Sequence, residues 1–128
     1  MALSTDDHIA IQQLYARYNH AIDDGKAAAW AACFTPDGTF ASPNGTFAGK
    51  DQLLAFATGF GEQLKVRHWV NNLVVEADGA GAKGACYLLL LNRKTNPAST
   101  MATATYDDRL AKTAGGWRFT SRSVAMDA

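Results

Sequence analysis

Cysteine, proline and histidine are scarce in this chain, and neither sign of charge is in excess. The two cysteines, Cys33 and Cys86, stand far apart with no CxxC spacing, which argues against a disulfide framework, a redox pair or a zinc site. Both read as apolar fillers of a core. Lysine plus arginine total 12, as do aspartate plus glutamate, and no long run of one sign occurs. That balance offers no basic footprint for nucleic acid and no acidic tail. Long hydrophobic stretches are missing too: the densest is Leu88 to Leu91, far below the roughly 20 residues that span a membrane. The opening residues, MALSTDDHIAIQQ, carry acids where a secretory signal carries bases, so a cytoplasmic location is expected.

What is present is enough for one domain over residues 1–128, large enough to build a core without metal or disulfide staples. Ser4-Thr5-Asp6-Asp7 supplies N-cap candidates and first-turn acids, and Ile11, Leu14, Tyr15, Tyr18 and Ile22 recur at helical spacing. The first helix is therefore expected from Thr5 to Asp23, closed by Gly25. A short alanine-rich helix over Lys26–Phe34 stops at Thr35-Pro36, because the residue before proline is pushed out of helical geometry. Turns at Asp37-Gly38 and Ser42-Pro43-Asn44-Gly45 frame a short strand over Thr39–Ala41, with a partner strand over Thr46–Gly49. Leu53, Leu54, Phe56, Ala57 and Phe60 mark a third helix over Lys50–Leu64.

The longest strand signal is Val66 to Ala77, which begins beside His68 and alternates imperfectly. Strands over Ala82–Arg93, Ser99–Leu110 and Trp117–Met126 follow, separated by glycine and proline turns. In the second of these four, Cys86, Leu88 and Leu90 share one face and Tyr87, Leu89 and Leu91 the other, so both faces are expected to be covered. Helices first and then four antiparallel strands indicate an α+β fold with a strongly curved sheet.

The helix AIQQLYARYNHAIDDG, the CFTPDGTF segment, the Phe47-Ala48-Gly49-Lys50 helix entry, VRHWVNN and the closing GGWRF occur in an order and spacing that resembles a SnoaL-like domain of the NTF2-like superfamily. The resemblance runs from about Asp6 to Ser123. It implies a cone-shaped barrel with an apolar cavity open at one end, working as a homodimer or higher homo-oligomer paired through its sheet. Scytalone dehydratase and the dehydrochlorinase of the same branch carry an aspartate at the end of helix one and a histidine at the start of the first long strand. Asp23 and His68 stand at the matching positions. The chain lacks a second histidine after His68, so a two-histidine mechanism is not implied.

From the residues alone, His68 reads equally as a partly buried strand histidine, and Asp23-Asp24-Gly25 as a polar helix exit. One consideration favours a pair: a carboxylate in the last helical turn opposes the macrodipole by roughly 0.3–1 kcal/mol and needs local compensation. A histidine accepts protons near neutral pH, and a carboxylate on its other ring nitrogen fixes the tautomer. The resemblance therefore implies an Asp23–His68 dyad in a small lyase or isomerase acting on a compact hydrophobic cyclic molecule, with no cofactor and no metal. Tyr15, Asn19, Trp30, Phe56 and Trp69 are the expected substrate-binding residues, with core packing as the alternative for each. His8 and His20 are expected in solvent, and Arg109, Lys112, Arg118 and Arg122 on exposed strand faces. The alternative is a non-catalytic ligand-binding protein, or an accessory subunit like the small subunits of ring-hydroxylating dioxygenases.

Overall fold

A computed structural model describes residues 2–128. Helix α1 (Thr5–Asp23) starts at a capping box, in which Ser4 Oγ accepts from the Asp7 amide and Asp7 Oδ2 accepts from the Ser4 amide, each at 3.0 Å. Ile11, Leu14, Tyr15, Tyr18 and Ile22 form its buried face, and Gly25 follows with φ +72° to close the helix. Helix α2 (Ala27–Ala31) is shorter than the sequence predicts, because Phe34 already opens a strand.

That strand, β1 (Phe34–Ser42), runs through Pro36 and Gly38 instead of starting after them. It pairs in parallel with β6 (Gly116–Met126) and carries a register shift between Phe34 and Thr39, so Asp37-Gly38 lies in a bulge within the strand. A Cβ at Gly38 would lie 2.9 Å from Phe34 Cβ and 3.2 Å from the Phe119 carbonyl oxygen, which is why the bulge needs glycine. Strand β2 (Gly45–Ala48) returns antiparallel beside β1, and α3 (Lys50–Gln63) follows.

Strands β3 (Val66–Asp78), β4 (Gly81–Asn92) and β5 (Ser99–Thr113) complete one six-stranded sheet in the order β2-β1-β6-β5-β4-β3. All neighbours are antiparallel except β1 and β6. The sheet curves around α1 and α3, and its inner face meets the helices in an aromatic core of Tyr18, Trp30, Phe34, Phe40 and Phe119. Each such side chain contributes roughly 1.5–3 kcal/mol by leaving water.

Two bulges decide which side chains reach the interior. In β3 the register shifts between Asn71 and Val74, with Asn72 at φ +55°, so inward positions pass from His68 and Val70 to Leu73 and Val75. This explains the imperfect alternation of that strand. In β5–β6, Arg109 pairs with Ser121 while Leu110 pairs with Phe119, leaving Thr120 as the extra residue. The parity flip turns Arg122 inward, contrary to its expected place on an exposed face, and it is 1% exposed. The expected cover on both faces of β4 also fails within one chain, since Tyr87 is 55% exposed on the outer face.

Candidate active site

Asp23 is the last residue of α1, and His68 is the third residue of β3. Asp23 Oδ1 lies 2.6 Å from His68 Nδ1, and the same carboxylate accepts the His68 backbone N–H at 2.9 Å through Oδ2. Their side chains are 3% and 7% exposed. The two donors from His68 compensate a carboxylate that would otherwise face the negative end of its own helix. With the ring hydrogen on Nδ1, the lone pair left at Nε2 is a base with a fixed direction.

Arg93, just beyond β4, fixes the two elements to each other. Its Nε donates to the Val66 carbonyl at 2.7 Å and its Nη2 to the Asp23 carbonyl at 3.0 Å. One planar fork thus holds the end of α1 against the start of β3. Sequence reasoning missed Arg93, because its role follows from the pairing of Val66 with Asn92, which no local pattern announces.

His68 lines a cavity of about 450 Å³ between α1, α3 and the inner face of the sheet. Among the described residues its walls include Tyr18, Phe40, Phe47, Phe56, Phe60, Leu88, Leu90 and Tyr106. The Phe60 ring lies 5.8 Å from the His68 ring, centroid to centroid. Of the five expected substrate-binding residues, Phe56 lines this cavity and the others lie elsewhere. Trp30 sits one layer behind, packed on Phe56 at 5.5 Å, because α2 aims it into the core. Strand alternation turns Trp69 to the outer face, where it is 58% exposed. Tyr15 and Asn19 border a more open hollow between α1 and β3, which also touches His68 and Trp69.

Tyr15 points on through the core, where its hydroxyl donates to Asp108 Oδ2. Asp108 and Arg122 form a wholly buried ion pair, with Oδ1 3.1 Å from Nε but off hydrogen-bonding geometry. Burial pushes the Asp108 carboxyl up, and Arg122 and Tyr15 pull it back toward the ionised form. Arg122 keeps its charge: burial opposes it most strongly, and Asp108 together with Tyr106, Tyr18 and Cys86 more than offsets that cost. His8 and His20 are exposed, and Cys33 and Cys86 are buried free thiols, as the sequence predicts. No group of three or more His, Cys, Asp or Glu that would hold a metal occurs among the described residues. No helix among them is long and apolar enough to cross a membrane.

The model of the SnoaL-like domain matches residues 4–123. The chain belongs to the SnoaL-like family. Solved structures place this SnoaL-like domain in the NTF2-like, cystatin-like fold. Rv3472 of Mycobacterium tuberculosis, a protein of unknown function solved as an aspartate-to-asparagine variant, is 30% identical with a TM-score of 0.88, over 93% of this chain and 70% of its own. A Nostoc punctiforme protein of unknown function with a cystatin-like fold has a TM-score of 0.90 at 24% identity, over 99% and 96% of the two chains. A Catenulispora acidiphila protein in complex with S-DNPA is 27% identical with a TM-score of 0.86, over 97% and 96%. Among curated proteins none matches the chain.

Proposed function

We propose that this SnoaL-like domain is a cofactor-independent lyase or isomerase that takes a proton from a compact hydrophobic cyclic substrate. His68 is the general base and Asp23 its orienter. The observation that carries this reading is the 2.6 Å contact between Asp23 Oδ1 and His68 Nδ1, on a histidine that lines an aromatic-walled cavity. The carboxylate keeps the ring hydrogen at Nδ1 and stabilises the imidazolium that forms when Nε2 takes a proton from carbon. The electron pair released either expels a leaving group or shifts a double bond, with the proton returned at another carbon. A base placed in this way contributes roughly 10²–10⁴-fold. Apolar walls exclude water and strengthen each charge interaction in the cavity.

Two measurements test this. The ring-nitrogen NMR shifts of His68 report the Nδ1–H tautomer in the wild type and its loss in Asp23→Asn. A panel of cyclic hydroxy, halo and enone compounds is then followed for double-bond absorbance, and turnover disappears in His68→Gln. An Nε2–H tautomer in the wild type, or full turnover in His68→Gln, overturns the dyad.

A second reading draws on the outer face of the sheet, where Trp69, Tyr87 and Met101 are 58%, 55% and 42% exposed on β3, β4 and β5. Aromatic residues and methionine in one exposed patch suit a protein partner. A second copy of this chain is the partner we favour, and an accessory role in a larger complex is the rival. Sedimentation of wild type against Trp69→Glu and Tyr87→Glu separates them, since a homodimer becomes monomeric.

A further inference from the structure

Gly59 stands inside helix α3, where neither the backbone nor the packing calls for a glycine. Its φ is not positive, and a Cβ built there would meet no atom within 4 Å. Gly61 differs, since a Cβ there would lie 3.4 Å from the Gly25 Cα, where α3 approaches the chain just beyond α1. A helix-interior glycine without such a reason lowers the folding constant about two- to fivefold against alanine. What Gly59 does have is a place in the wall of the cavity that His68 lines. Ala55 and Gln63, one helical turn to either side, line the same wall, so a side chain at position 59 would project beside them.

The cavity is graded from floor to mouth. Tyr18, Phe40, Leu88, Leu90 and Tyr106 are buried at its floor, and the His68 side chain is 7% exposed. Asn44 in the turn between β1 and β2, with Ala55 and Gln63 on α3, is exposed and marks the mouth. No Asp, Glu, Lys or Arg stands among the described residues that line the cavity. Its volume of about 450 Å³ is three times the roughly 150 Å³ that encloses a benzene-sized ring. A compact ring held at His68 therefore leaves about two thirds of the space, toward the mouth, unfilled.

We propose that Gly59 is a specificity-determining position, keeping open a passage through which an uncharged polar arm of the substrate runs from the ring at His68 to the mouth. This rests on the reading of the cavity as the substrate site, and it extends the compact ring to a ring that bears an arm. The apolar floor takes the ring. At the mouth the amides of Asn44 and Gln63 each donate and accept, which suits hydroxyl, ether or amide groups on the arm. A charged arm finds no counter-ion on these walls, so its desolvation goes uncompensated. Any side chain at position 59 takes up space that the arm needs.

Binding of three probes, followed by NMR, tests this: anisole, 2-(2-phenoxyethoxy)ethanol and phenoxyacetate share a ring and carry no arm, an uncharged arm and a charged arm. Wild type is expected to bind the glycol ether about tenfold more tightly than anisole, and phenoxyacetate no better than anisole. Gly59→Ala is expected to melt a few degrees above wild type and to bind the ether about two- to threefold more weakly. Gly59→Leu is expected to lose the tenfold advantage of the ether while anisole binds as in wild type. Thr58→Leu adds comparable bulk at an exposed position outside the cavity and is expected to keep the advantage. His68→Gln is expected to keep it too, so the passage and the dyad stand or fall separately. An ether bound as tightly by Gly59→Leu as by wild type overturns the passage, and so does an equal loss of anisole in that variant. No preference for the ether over anisole in wild type does the same. A melting point lowered in Gly59→Ala would show that the helix itself requires the glycine, and phenoxyacetate bound as tightly as the ether would overturn the uncharged arm.

Discussion

Gly84 on β4 leaves space that the Tyr15 hydroxyl fills: a Cβ at position 84 would overlap that oxygen. Tyr15 reaches Asp108 across the core through this gap, and Asp108 in turn faces Arg122. The absence of one side chain therefore supports a buried ionic cluster on the strand beside it.

Gly84→Ala is expected to displace Tyr15 and destabilise the fold by about 1–3 kcal/mol, the range for overpacking a filled core. Tyr15→Phe keeps the ring and removes only the donor to a charged acceptor, for a loss of about 1.5–3 kcal/mol. If both act through the Asp108 bond, the double variant costs less than the sum of the two. Urea denaturation of the four proteins measures this, and strict additivity would separate the glycine from the cluster.

Arg93 makes a sharper case, because its two hydrogen bonds go to carbonyls on different elements, Val66 on β3 and Asp23 on α1. Arg93→Ala is expected to cost about 1–3 kcal/mol, for two hydrogen bonds made by a charged donor. Arg93→Lys is expected to recover little, since an ammonium group lacks the planar fork that reaches both oxygens. Hydrogen exchange at the His68 amide, which donates to Asp23, should rise in both variants. Exchange rates at wild-type level in Arg93→Lys would show that charge alone, without the fork, holds the end of α1.

The sequence makes α1 and the strands legible because their signals are local: a capping serine, a helical stripe, alternation and a closing glycine. The Asp23–His68 juxtaposition follows from the family resemblance instead, since no local signal joins residues 45 positions apart. Phe34 is misassigned to α2 because it belongs to a strand paired in parallel with β6, and a parallel partner leaves no hairpin signal. Arg122 reads as exposed by alternation, and one unpaired residue at Thr120 reverses that parity. Trp69 is the opposite case, since simple alternation from His68 already puts it on the outer face. Tyr106 shows the remaining gap: its neighbours Arg122 and Tyr18 come from β6 and α1, and only the assembled sheet brings them together.

Asp7 ties the first turn of α1 to the far end of the sheet, accepting from Lys112 Nζ at 2.9 Å and from Trp117 Nε1 at 3.1 Å besides the Ser4 amide. The Ser4 amide above all, then Lys112 and Trp117, hold its carboxyl well below the usual carboxylate range. A carboxyl whose folded value is depressed contributes stability above its unfolded value of roughly 3.9, and that contribution fades as pH falls toward the folded value. Asp7→Asn is therefore expected to be less stable than wild type at pH 7, with the gap narrowing as pH drops below about 4. Thermal unfolding of both proteins across that range measures the convergence. Lys112→Met removes one of the three donors and should narrow the same gap in part, because Ser4 and Trp117 still hold the carboxylate. A gap between Asp7→Asn and wild type that stays constant down to pH 3 would mean that Asp7 acts through the shape of the capping box rather than through its charge.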